Sequence, residues 1–209
     1  MKDIYLDFDR TIYDTDQLYK DMNKVILKYD IKQSKFKQIK KRIFKKPILF
    51  DYFKVVNYIC DHNNVSTLVL KELENLLYNG NKYIFDDVKE FLETAKNNGY
   101  KINLLTYGDR SFQLKKLSNL DICDIIDNII IAGEYKFDLS IDYENSIFID
   151  DNPRDLKGLY KRNAGRLIRI SRHKTKYAKT PLNNGIAEKY NSLSQIRINV
   201  LNKGDDKNE

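Results

Sequence analysis

Apolar residues follow two rhythms along this chain. Short apolar runs occupy residues 3–8, 101–106, 128–132, 146–150 and 166–171. Runs of this length and composition read as buried strands. Between them the spacing turns helical. Asp86 is placed to cap a helix that carries Phe91, Leu92 and Ala95 and stops at Gly99. A second helix is predicted over about residues 111–120. Pro153 suits the first turn of a third, which ends near Gly165. Strands alternating with helices predict an α/β fold whose parallel sheet is covered on both faces.

Residues 14–81 break that alternation. They contain no convincing strand. Phe36, Ile39 and Ile43 recur at helical spacing, and so do Val69, Leu73, Leu76 and Leu77. Ser34 and Ser66 are candidate N-caps and Gly80 a candidate stop. An all-helical insertion over residues 15–81 is therefore expected, with residues 1–14 and 82–203 forming the core. Residues 188–203 read as a closing helix and 204–209 as a polar tail.

Composition changes this picture little. The 209 residues fit one domain plus an insertion, or two small domains, and 42% apolar content can supply a core. No apolar run approaches membrane-spanning length. No basic stretch followed by an apolar segment marks a secretory signal. A cytoplasmic location without a membrane partner is expected. Cys60 and Cys123 are far apart and read as free thiols in a reducing compartment. With His62 and His173 the only histidines, a zinc site of His and Cys ligands is not expected. The formal charge of +7 favours anionic partners. Lys35, Lys37, Lys40, Lys41, Arg42, Lys45 and Lys46 interleave with Phe36, Ile39 and Ile43, as on the wet side of an amphipathic helix. Arg169, Arg172, Lys174 and Lys176 form a second basic cluster, read the same way. Nucleic acid is not an expected partner.

The chemistry-bearing residues fall where the predicted strands end. Asp7 and Asp9 follow the first strand and share a face of it, with Thr11 two residues on. Thr106 closes the second strand, Lys136 comes shortly after the third, and Asp150-Asp151 closes the fourth. In an open parallel sheet these ends meet at the edge where ligands sit. Carboxylates crowded together repel, and a hard divalent cation such as Mg²⁺ relieves them.

Together these segments resemble the haloacid dehalogenase (HAD) superfamily, in its Mg²⁺-dependent phosphatase branch. Asp7-Phe8-Asp9-Arg10-Thr11 resembles its motif I, Leu104-Leu105-Thr106 its motif II, Lys136 its motif III, and Ile149-Asp150-Asp151-Asn152 with Asp155 its motif IV. The insertion sits where this family places a C1-type helical cap. The resemblance implies a Rossmann-like parallel sheet of order 3-2-1-4-5 and a cap that favours small phosphorylated substrates. It implies that Asp7 is the nucleophile and Asp9 the general acid and base. Mg²⁺ would be held by Asp7, the Asp9 carbonyl and Asp151. Thr106 would bond a phosphoryl oxygen, and Lys136 would offset negative charge. Asp150 and Asp155 would organise metal waters or Lys136. Dehalogenating relatives lack the second acid, so Asp9 points to a phosphatase, or else a phosphomutase or phosphotransferase. A non-catalytic nucleic-acid or protein interaction module using the basic cap is the alternative from another class. Arg10 departs from the family's usual glycine. No proline follows Lys136, and Lys115 or Lys116 is a rival for its role. The short stretch from Lys136 to Asp150 leaves room for little more than one helical turn.

Overall fold

A computed structural model describes residues 2–44 and 49–201 of the chain. Two compact units result. One comprises Met1–Asp14, Ile84–Tyr107 and Asp121–Glu209, the other Thr15–Tyr83 and Gly108–Leu120. Lys45, Lys46 and the predicted tail 204–209 lie outside the described residues.

The first unit is built on a six-stranded parallel sheet. Its strands are β1 (Asp3–Leu6), β2 (Lys101–Tyr107), β3 (Asn128–Ala132), β4 (Ser146–Asp150), β5 (Arg166–Ile170) and β6 (Glu188–Tyr190), in the order β3-β2-β1-β4-β5-β6. Leu6 lies opposite Leu104 on one side and Ile149 on the other, so β1, β2 and β4 end together. That shared edge places the site.

Each face of the sheet has apolar side chains to bury. Tyr5, Leu105, Phe148 and Leu167 join Leu156 and Leu159 of the helix α7 (Pro153–Lys161) in one core cluster. The Tyr5 and Phe148 rings stack at 4.9 Å, an arrangement worth about 0.5–1.5 kcal/mol beyond area burial. The helix α5 (Val88–Asn97) buries Val88, Phe91, Leu92 and Ala95, a stripe at helical spacing. It ends where Gly99 takes φ +73°, a conformation that disfavours any residue with a Cβ.

Two readings of this unit are corrected. Asp87, not Asp86, stands at the N-cap of α5, and its carboxylate bonds Arg172 and the Leu193 amide rather than its own helix. Residues 188–201 are not one helix, and 202–203 lie outside the described residues. Glu188–Tyr190 adds β6 to the sheet, because Arg166 grips Glu188 through two bonds of 2.7 and 3.0 Å and the Ser171 amide donates to the Tyr190 carbonyl. Ser192 then caps a short helix, α8 (Leu193–Ile196), which passes into a π-type turn over Arg197–Leu201.

The second unit is helical. It contains α1 (Thr15–Lys28), α2 (Gln33–Ile43), α3 (Tyr52–Asn63), α4 (Leu68–Tyr78) and α6 (Arg110–Leu117). From the sequence, residues 108–120 are expected in the core. They group here because Asp109 pairs with Lys54, Lys115 pairs with Glu74, and Phe112 packs beside Phe53. α2 is amphipathic as expected: Phe36 and Ile39 are buried while Lys35, Lys37 and Lys41 are exposed. Ser34 does not cap it; Lys32 holds that position without a side-chain bond. Thr67, not Ser66, stands at the N-cap of α4, without a side-chain bond, while Ser66 accepts from the Leu68 amide at 3.3 Å. Gly80 opens a 3₁₀ turn over Gly80–Tyr83 rather than ending α4 itself. No helix among the described residues is long and apolar enough to cross a membrane.

Candidate active site

The end of β1 delivers Asp7 into the centre of the sheet's C-terminal edge. Its amide donates to the Ile149 carbonyl at 2.9 Å, so the backbone stays sheet-like one residue past the strand. The chain then turns sharply. The Ile12 and Tyr13 amides both donate to the Phe8 carbonyl, and Arg10 takes φ +67° at the bend. Left-handed backbone of this kind is the conformation that glycine adopts most easily. Asp9 is half-buried in this turn.

Lys136 is buried and reaches Asp7. Its Nζ lies 2.5 Å from Asp7 Oδ1 and 2.7 Å from Asp150 Oδ2. It sits in a 3₁₀ turn over Lys136–Asp138, the one turn that the short connection allows. Tyr143 Oη donates to the Lys136 and Leu139 carbonyls, and Arg162 Nε donates to the Phe137 carbonyl at 2.7 Å. The rival Lys115 is committed to Glu74. Burial alone lowers a lysine, but the flanking Asp150 and Asp7 carboxylates outweigh it and hold Lys136 as a cation above the usual range.

Asp150 is fully engaged. Lys136 occupies Oδ2, and the Asn152 amide donates to Oδ1 at 2.8 Å. Asn152 also donates through Nδ2 to Asp155 Oδ2 at 2.8 Å and caps α7 through the Arg154 amide. Asp150 and Asp155 thus brace the ammonium and the loop after β4.

Asp7, Asp150 and Asp151 each offer a carboxylate oxygen, all within 4.8 Å of one another. Two of these buried acids present an atom with no hydrogen-bond partner, Asp7 Oδ2 and Asp151 Oδ2. Unpaired buried carboxylate oxygens are costly. Burial raises the Asp7 carboxyl to about 7; Lys136 acts against that, while Asp150 and Asp9 add to it. Burial also raises Asp151 well above the usual carboxylate range, helped by Asp7 and Asp150 and opposed by Arg10 and Lys136. One lysine cannot neutralise this group of acids. A divalent cation fits the site on charge, on hard oxygen donors and on the two orphaned atoms.

Thr106 lies in β2 at the same edge. Its Oγ1 is buried and has no hydrogen-bond partner, so the hydroxyl is available to a ligand. Sequence reasoning missed Arg172. It is not on a wet face: the side chain is buried, donates from Nε to the Thr11 carbonyl at 2.7 Å and grips Asp87 at 2.7 and 3.2 Å. It ties the turn that carries Asp9 to the start of α5. Arg169 is also buried and donates to the Tyr177 and Thr180 carbonyls. His62 is exposed at the end of α3 against Tyr58, as expected of a helix-end residue.

Comparison with known proteins gives the family and the fold. Residues 4–166 match the family model of the haloacid dehalogenase-like hydrolases. The chain belongs to that family, and its fold is the Rossmann-like α/β fold of the HAD enzymes. A search of curated proteins found no significant match. Among solved structures, a haloacid dehalogenase-like hydrolase from Burkholderia xenovorans LB400 is similar over 96% of this chain and 97% of its own, with TM-score 0.74 and 14% identity. A HAD phosphatase from Thermococcus onnurineus is similar over 95% and 97%, with TM-score 0.59 and 18% identity. L-2-haloacid dehalogenase from Xanthobacter autotrophicus is similar over 95% and 97%, with TM-score 0.59 and 13% identity.

Proposed function

We propose that this hydrolase is a Mg²⁺-dependent phosphatase that cleaves a small phosphorylated substrate through an aspartyl-phosphate on Asp7. The observation that carries the reading is the division of labour on Asp7. Lys136 binds Oδ1, Oδ2 carries no hydrogen bond, and a second acid, Asp9, stands two residues on. A dehalogenase has no use for that second acid, because halide leaves without a proton. A phosphate ester needs one, since an alkoxide leaves poorly until it is protonated.

Asp7 attacks phosphorus, and the bond from phosphorus to the leaving oxygen breaks as Asp9 gives that oxygen its proton. Asp9, now a carboxylate, takes a proton from water. The water oxygen displaces Asp7 from phosphorus, releasing inorganic phosphate and restoring the Asp7 carboxylate and the Asp9 acid. The Thr106 hydroxyl donates to an equatorial phosphoryl oxygen, and Lys136 holds Asp7 in its attacking orientation and offsets charge. Asp7, the Asp9 carbonyl and Asp151 would hold Mg²⁺, which supplies charge neutralisation to the phosphoryl oxygens. A reducing, cytoplasmic setting suits the two unbridged thiols, Cys60 and Cys123.

The test pairs two substrates. Phosphate release from p-nitrophenyl phosphate should need Mg²⁺, stop in EDTA, and vanish in Asp7→Asn. Chloride release from 2-chloropropionate should be absent. Chloride release without phosphatase activity would overturn the reading.

A further inference from the structure

We propose that the cleft beside α7 holds the leaving group, and that the substrate is a nucleotide carrying a second phosphate besides the one that is cleaved. This rests on the phosphatase reading and names the substrate class for the same site.

A cleft of about 970 Å³ is lined by Tyr107 and Asn152, which directly follow Thr106 and Asp151, and by residues of α7 as far as Lys161. That volume lies at the upper end of ligand pockets, well beyond what one phosphoryl group fills. One wall is cationic. Arg154, Lys157 and Lys161 recur at three- and four-residue spacing, which puts them on one face of α7, and all three are exposed. Among the described residues no carboxylate forms an ion pair with any of them. Arg162 is different, being held by Asp138 and the Phe137 carbonyl.

Two aromatic rings, Tyr107 and Phe137, also line the cleft. Tyr107 is 39% exposed, and its ring stacks on Tyr135 at 5.9 Å. Tyr135 stacks on Phe137 at 5.2 Å, with the Arg154 guanidinium 4.1 Å over the Tyr135 ring. The stack runs from Tyr107 through Tyr135 to Phe137, and Tyr107 directly follows Thr106 in the chain. A sugar phosphate or phospho-acid has no flat face for such a ring. A nucleobase does, and stacking on an aromatic side chain is worth about 1–3 kcal/mol per base. The cleaved phosphoryl group occupies the Asp7 edge, so the α7 cations call for further anionic charge. Base and second phosphate together match the exposed Tyr107 ring and the α7 cations.

The experiment reads binding apart from turnover. Calorimetry on the Asp7→Asn variant with Mg²⁺ compares an adenosine bisphosphate, adenosine monophosphate and fructose bisphosphate. The adenosine bisphosphate should bind about tenfold tighter than either of the others. The double substitution Lys157→Gln with Lys161→Gln should erase its advantage over the monophosphate, and Arg at both positions should restore it. Tyr107→Ala should erase its advantage over fructose bisphosphate. Equal affinity for the three probes, or advantages that survive these changes, overturns the proposal. Turnover of p-nitrophenyl phosphate by the unaltered enzyme tests the phosphatase reading separately. If that turnover is present and the binding preference absent, only the cleft assignment falls.

Discussion

At the scale of single residues, the site is defined by which polar atoms are spent and which are not. Asp150 has both oxygens engaged, and Lys136 bridges two carboxylates. Asp7 Oδ2, Asp151 Oδ2 and Thr106 Oγ1 are buried without a partner. Native interiors leave few such atoms, so three around one edge mark where a ligand belongs. Thr106 gives the cleanest test, because its hydroxyl supports nothing else in the fold. Thr106→Ala should lower kcat by about 10²–10³ while leaving the melting temperature near its original value. Thr106→Ser should recover most of the rate, since the donor returns. Near-normal turnover in Thr106→Ala would remove that residue from the mechanism.

At the scale of elements, the turn carrying Lys136 depends on a residue far along the chain. A Cβ at Gly158 in α7 would lie 2.0 Å from Phe137 Cδ1, so the ring of Phe137 rests on the bare helix backbone. Helix propensity alone predicts that alanine there stabilises by about 1 kcal/mol. Overpacking costs about 1–3 kcal/mol and wins here, because three atoms of the Phe137 ring lie within 2.5 Å of that Cβ and the whole ring would have to shift. Gly158→Ala should therefore lower the melting temperature and slow turnover by displacing Lys136. A variant as stable and active as the parent would show that the ring can move aside. This seat was not legible in the sequence, where Gly158 is one glycine within a helical pattern. The strands β1 to β5 were legible, since each is an apolar run with its chemistry at the C-terminal end. β6 was not: Glu188-Lys189-Tyr190 has no apolar run, and its pairing comes from Arg166 and an edge ladder. Arg172 was misread for a related reason. Its partner Asp87 is 85 positions away, and a charge pattern cannot show which cation folds inward. Asp7, Asp150, Asp151, Thr106 and Lys136 were legible as neighbours because each lies at the C-terminal end of a strand or shortly after it.

At the scale of the whole molecule, a chain with a formal charge of +7 folds around a buried knot of acids. Asp7 and Asp151 have carboxyl groups raised above their ordinary values chiefly by burial. Without a cation the folded state therefore holds protons that the unfolded chain releases near pH 4. Stability from these groups is present below that point and is lost as pH rises through their folded values, about 7 for Asp7. A bound divalent cation reverses the balance, because it stabilises the ionised carboxylates only in the folded state. The rise in melting temperature on adding Mg²⁺ should thus be small near pH 5 and larger near pH 8. Asp151→Asn removes one of the like charges and a cation ligand together. It should raise the metal-free melting temperature near pH 8 and abolish most of the Mg²⁺ response. Differential scanning fluorimetry at both pH values, with MgCl₂ and with EDTA, measures all four terms without any assay of turnover. A Mg²⁺ response independent of pH, or one retained in Asp151→Asn, would place the cation somewhere other than this edge of the sheet.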